Sequence, residues 1–221
     1  MSRQVILNFH GLGEPPAWVD DDERPYWISA ALFEEMVSRT DGRDDVLLTF
    51  DDGNRSDLEI AAPILQAHGR TAWIYVLSGR LQMPGYLTPG DVKALQAMGM
   101  PIGLHGRNHV DWRKIGAEAL AEETILARRQ LQDITGTAID TVSIPFGAYN
   151  RALLKHLEKQ GFTVIFTTDG GAADDQQRIR ARTSIRSDMS AKDIDQVIAG
   201  RLPLARLARR AASSFAKRHL I

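Results

Sequence analysis

Short apolar stretches rich in Val, Ile, Thr and aromatic residues recur along the chain, and segments with apolar positions at helical spacing separate them. The pattern predicts strands over 4–9, 46–50, 71–77, 101–104, 141–144, 163–167 and 179–184. Helices are predicted over 28–39, 56–69, 88–99, 116–136, 150–161 and 190–200. Ser56 is expected to cap the second helix, Gly69 to end it and Pro63 to bend it. Seven strands alternating with helices predict a parallel α/β fold.

Polar residues fall in a telling place. His10, Asp51 and Asp52, His105, Pro145–Phe146–Gly147 and Asp169 each follow a predicted strand directly. In a barrel of parallel strands the carboxyl ends meet on one face, and that face carries the active site. No internal repeat, low-complexity stretch or linker interrupts the pattern. One domain over 1–221 is therefore expected, ending in a basic helix at about 201–219.

Composition narrows the chemistry. At 43% hydrophobic and 25% charged residues the chain reads as an ordinary globular protein, and a net charge of −1 gives no reason to expect nucleic acid. It has no cysteine, which excludes disulfides, thiolate metal sites and a cysteine nucleophile. Any metal must be held by His, Asp, Glu or water. Residues 1–16 lack the long apolar core and cleavage site of a secretory signal. No run approaches the roughly 20 apolar residues that span a bilayer. The cytoplasm is the expected location.

The segment VLLTFDDGNRSD, 46–57, runs from an apolar strand straight into two carboxylates, Asp51 and Asp52. A DDG triplet alone reads as a turn. Its position after LLTF and the histidines of GLHGRNHVDW favour a site instead. His105 and His109 are four apart, and Gly106 and Asn108 permit the turn that lets both imidazoles converge. With Asp52 they make a three-ligand set that leaves positions for water and substrate. The donor types fit Zn²⁺, with Mn, Co or Ni as neighbouring choices. Asp51, pointing elsewhere, would stay free to take a proton from an activated water.

TFDDG, then H-x3-H, then IPFGAYN, in this order over about residues 5–185, resembles the polysaccharide deacetylase family (NodB-homology, carbohydrate esterase family 4). The resemblance implies a distorted (β/α)7 barrel and a metal-dependent hydrolase that removes acetyl groups from sugars. By it, Asp51 is the catalytic base, and Asp52, His105 and His109 are the metal triad. The main-chain N–H of Phe146 helps hold the oxyanion. Three departures stand out. Gly106 replaces a Ser or Thr of the second motif, which is expected to loosen the ligand loop. Ser143 stands where the third motif has the Arg that orients the base. Of Arg180, Arg182 and Arg186, Arg182 is taken as the replacement. No L-x-H segment near the carboxyl end supplies an acid. His10, in ILNFHGLG, is similar to the early YH segment of members with permuted motif order and is assigned that role.

Other residues carry weaker signals. Trp18, Tyr26, Trp27 and Trp112 read either as a sugar-stacking groove or as core. Asp169 reads as an orienting group for a site His or as a turn, and the DDDER run, 20–24, as a solvated face. His68 and His156 read as surface residues. From Gln196 onward the chain has six Lys or Arg and no acid, with Leu204, Leu207, Ala208, Ala211 and Phe215 on one helical face. Such a helix either closes the barrel or lies on the inner face of a membrane, where a lipid-linked sugar becomes a candidate substrate. Three functions follow: a sugar N-deacetylase, a deformylase or amidohydrolase on a small or lipid-linked amide, and a catalytically silent saccharide-binding protein.

Overall fold

The computed structural model describes residues 3–201 and Lys217. The strands are β1 (Arg3–Phe9), β2 (Val46–Phe50), β3 (Trp73–Leu77), β4 (Ile102–Gly106), β5 (Thr141–Ser143), β6 (Val164–Thr167), β7 (Ala173–Asp174), β8 (Ile179–Ala181) and β9 (Thr183–Ser184). β1 to β6 pair in sequence order, all parallel.

The last predicted strand, 179–184, is not continuous. It breaks at Arg182 into β8, which pairs with β6, and β9, which pairs with β1. That change of partner brings the sheet back to its own first strand, so a nearly closed (β/α)7 barrel results. The break leaves Arg182 free to face the lumen. β7 adds a short antiparallel pair at the start of β1.

Strand alternation sorts the side chains into two layers. Val5, Leu7, Phe9, Leu48, Phe50, Ile74, Val76, Leu104, Val142 and Ile165 pack outward under the helices. Inside, Ile6, Tyr75 and Phe166 form a small apolar plug. The next lumen positions toward the strand ends are polar: Asn8, Thr49, Ser143 and Arg182, all fully buried.

The helices are α1 (Ala30–Ser38), α2 (Ala62–Ala67), α3 (Pro89–Ala97), α4 (Ala117–Ala121), α5 (Ala127–Thr135), α6 (Arg151–Lys159) and α7 (Ala191–Ile198). Ser29, Thr88, Asn150 and Ser190 each accept a backbone N–H three residues on, capping α1, α3, α6 and α7.

Two predicted helices are interrupted by π turns. Before α2 the turn Asp57–Ala61 is widened, with Ala62 N–H donating to Asp57 O. Pro63 has no N–H and its ring crowds the turn before it, so the bend expected there takes this form. Ser56 does not cap this helix; its hydroxyl accepts from Leu12 N instead, 3.1 Å away. A second π turn, Glu122–Leu126, joins α4 to α5. Gly136 ends α5 in the left-handed conformation, as its place in the sequence predicts. The expected C-terminal helix at 201–219 lies outside the described residues apart from Arg201, which is not helical, and Lys217, whose Nζ is 2.9 Å from Asp169 Oδ1. No described helix is long and apolar enough to cross a membrane.

Candidate active site

The carboxyl ends of β1, β2, β4, β5 and β6 open onto one cleft of about 330 Å³, lined by His10, Asp51, Asp52, His105, His109 and Phe146 among others. Asp52 stands at the β2 exit with φ 78, a left-handed conformation rare outside glycine, and Gly53 follows with φ 71. This turn separates the two acids. Asp51 points into the lumen, and Asp52 turns toward the histidines.

His105 enters through a break in register. Val76 pairs with Leu104 and Leu77 with Gly106, so the pairing skips His105. Such a bulge re-aims a side chain. His105 Nδ1 is 2.9 Å from Ser143 O, which fixes it as the N–H donor and leaves Nε2 with a free lone pair. That Nε2 stands 3.5 Å from Asp52 Oδ1. His109, at φ 55, brings its Nε2 to 3.8 Å from the same oxygen.

Asp52 Oδ1 is buried and accepts no hydrogen bond among the described residues. Asp52, His105 and His109 each offer one ligand atom, all within 4.8 Å of one another. An orphaned carboxylate oxygen facing two imidazole nitrogens is a donor set that fits a divalent cation. Burial lowers His109 to about 4 against the opposing pull of Asp52, so at neutral pH the ring is uncharged. Its Nδ1 faces Glu23 Oε1 at 3.6 Å, and the Phe146 ring lies 4.3 Å from it.

Asp51 is gripped from below. Arg182 Nη1 donates to Oδ1 at 2.8 Å and Nη2 to Oδ2 at 2.6 Å. Asn8 Nδ2 and Ser143 Oγ add bonds of 3.0 and 3.2 Å to Oδ2. Arg182 is itself held by Asn8 Oδ1 and Ser143 Oγ, with its guanidinium over Tyr75 and Phe166. Burial pushes the Asp51 carboxyl up, yet Arg182 and the imidazoles outweigh it and hold the group far below the usual carboxylate range. Arg180 and Arg186 take no part: Arg180 bonds Gln177 O, and Arg186 pairs with Asp188 at the surface. His10 Nδ1 is buried without a hydrogen-bond partner among the described residues, its ring 4.9 Å from that of Tyr26. Burial lowers its pKa, so it rests neutral.

Some readings the sequence left open are decided here, and others need correction. Trp112 is core, 2% exposed, with its Nε1 donating to Glu123, whereas Trp18, Tyr26 and Trp27 do line the cleft. Asp169 orients no histidine among the described residues; it accepts from Tyr149 Oη and Thr167 Oγ1. His68 and His156 are half-buried, and each has a partner, Asp41 and Thr124. The DDDER run is only partly a solvated face, since Asp22 and Glu23 line the cleft. The ligand loop is not loose: Glu123 accepts from Arg107 N and Asn108 N and pins it. Glu23, Glu123 and Asn8 were not expected at the site.

The family model for Polysaccharide deacetylase matches residues 38–165, more than half of the chain. The chain belongs to the polysaccharide deacetylase family. A relative named peptidoglycan-N-acetylglucosamine deacetylase, from Bacillus cereus, is 26% identical over 150 residues, 65% of this chain and 52% of that one. The chain spans about half the length of the curated relatives it matches. The polysaccharide deacetylase fold is seen again in solved structures. Streptococcus pyogenes deacetylase PplD, in complex with acetate, superposes with a TM-score of 0.74 at 20% identity, covering 89% of this chain and 98% of that one. IcaB from Ammonifex degensii gives 0.70 at 21% identity, covering 90% and 97%. At these identities the likeness speaks for the fold.

Proposed function

We propose that this protein is a metal-dependent amide hydrolase that removes an N-acetyl group from an amino sugar in a polysaccharide, oligosaccharide or glycolipid precursor. One observation carries the reading: the orphaned Oδ1 of Asp52 faces the Nε2 atoms of His105 and His109 beside the Arg182-held Asp51. A divalent cation held by Asp52, His105 and His109 would polarise the amide carbonyl and acidify a water. Zn²⁺ suits the donor set.

Within that reading, Asp51 takes the water's proton. Ionised and fully hydrogen-bonded, it is a weak base, and its advantage is fixed placement. Phe146 sits at the cleft edge in a turn with φ 60, where its main-chain N–H is proposed to stabilise the developing oxyanion. His10, neutral at rest, receives the proton that Asp51 took from the water and passes it to the departing amine, so the hydrolysis is proton-balanced. Trp18, Tyr26, Trp27 and Tyr86 give the cleft aromatic walls on which the apolar faces of sugar rings stack.

Acetate release from acetylated chito-oligosaccharides by Zn²⁺-loaded protein tests the proposal. Turnover that disappears on chelation and returns with Zn²⁺ supports it. Metal-loaded protein that binds these saccharides without releasing acetate overturns it. Formate release, or turnover confined to a lipid-linked amide, would overturn the acetyl assignment while keeping the hydrolase.

A further inference from the structure

Glu123 belongs to no motif, lies 14 residues beyond His109, and is 2% exposed. Its Oε2 accepts from Arg107 N at 2.8 Å, Asn108 N at 3.2 Å and Trp112 Nε1 at 3.2 Å, and its Oε1 accepts from Asn108 N at 3.0 Å. Among the described residues no Lys, Arg or His stands within ion-pair range of it, so N–H donors alone hold the buried charge. A buried carboxylate kept in this way is costly unless its hydrogen bonds hold something in place.

What they hold is the segment between His105 and His109. That loop has positive φ at both ends, Gly106 at φ 100, which glycine adopts freely, and His109 at φ 55. The His109 conformation persists only where the surroundings over-determine it. Glu123 fastens the two residues between them, and Arg107 O is fastened on the other side by Gly79 N at 3.1 Å. The fit leaves no slack. A Cβ on Gly106 would meet Glu123 Oε2 at 2.7 Å and the Trp112 ring at 3.0 Å. The carboxylate therefore fills the space that a side chain at position 106 would need. The π turn Glu122–Leu126 sits at this contact, between α4 and α5.

We infer that Glu123 is the positioning residue of the candidate metal centre: by fastening the amides of Arg107 and Asn108 and the indole of Trp112, it holds His105 and His109 at ligating separation. The inference rests on the metal reading above. It differs from a plain stability role in what it predicts for ligand affinity. A loop released from Glu123 still carries both histidines, but they no longer converge.

The test uses the full chain, with Zn²⁺ as probe and a chromophoric chelator as competitor, on Glu123→Ala, Glu123→Gln and Leu131→Ala. Leu131 is a fully buried α5 residue outside the cleft, so its variant reports destabilisation alone. Glu123→Ala is expected to weaken Zn²⁺ binding 10- to 100-fold, as loss of outer partners does at metal sites. Glu123→Gln, which keeps one acceptor but turns an NH₂ toward the donors, should fall between. Leu131→Ala should lower the melting temperature at unchanged Zn²⁺ affinity. If Glu123→Ala does not fold, Glu123→Gln decides. Wild-type affinity in a folded Glu123→Gln, or an equal loss in Leu131→Ala, overturns the positioning role. Wild-type protein that takes up no Zn²⁺ overturns the metal reading and this inference together.

Discussion

Arg182 and Asp51 meet through two parallel hydrogen bonds, 2.8 and 2.6 Å, although they lie 131 positions apart, one at the exit of β2 and the other at the break between β8 and β9. The pair exists because the last barrel strand breaks at Arg182 to change partners. The same residue thus closes the sheet and fixes the carboxylate.

Replacing Arg182 should damage both stability and turnover. Arg182→Met leaves Asp51 buried and unpaired, which costs ~3–5 kcal/mol in comparable cases. Arg182→Lys restores the charge without the planar fork and should recover stability only in part. Deacetylation by either folded variant should fall about 100-fold, a typical cost of misplacing a reacting group. Urea unfolding and acetate release on the same samples check both effects.

His109 predicts acid sensitivity in the metal-free protein. Its folded pKa of about 4 lies below the ordinary 6.5, so the unfolded chain binds the extra proton first. Its contribution is complete above about pH 6.5 and is lost as pH falls toward 4, ~3 kcal/mol in all. His109→Gln should flatten unfolding free energy across that window, measured in chelator. Parallel curves for the two proteins would contradict the assignment.

Asp57 predicts the opposite slope. It is fully buried in the π turn, and neither carboxylate oxygen accepts a close hydrogen bond among the described residues; burial, with Asp52 and Asp51 nearby, outweighs the Asn54 backbone and raises its pKa well above the usual range. A raised carboxyl contributes fully below its unfolded pKa of about 3.8 and loses that contribution as pH rises through the folded value. Asp57→Asn should therefore stabilise the protein at pH 8 more than at pH 5. Thermal melts at the two values decide it.

Gly106→Ala tests the packing of the ligand loop. The new methyl must enter at φ 100 and within 2.7 Å of Glu123 Oε2. A loss of ~1–3 kcal/mol follows from the strain alone. Full stability in this variant would mean that the loop is looser than it stands here.

Much of the site was legible because its residues announce themselves at strand ends. Asp51 and Asp52 follow an apolar strand that could not otherwise tolerate them, and His105 and His109 follow the next exit but one. Arg182 could be chosen from a run of arginines once Ser143, in place of an Arg, left Asp51 without an expected partner. Asn8 was legible in principle, as a lone amide at an inward position of β1. Glu23 and Glu123 were not, because each sits in a charge-rich run that reads as solvated face. Glu23 reaches the cleft only because the loop after β1 folds back, with the Trp27 ring against Gly11, where a Cβ would come within 2.1 Å. Glu123 turns inward at a π turn, which the 3.6-residue period does not register. Trp112 follows the same logic, drawn into the core by the carboxylate its indole meets.

Calorimetric titration of the metal-free protein with Zn²⁺ tests the central claim most directly, run beside Asp52→Ala, His105→Ala and Asp51→Asn. The account predicts one saturable site in the wild-type protein, its loss in Asp52→Ala and His105→Ala, and its retention in Asp51→Asn, whose turnover alone collapses. A wild-type protein without a saturable site, or the same site surviving in both ligand variants, would contradict it.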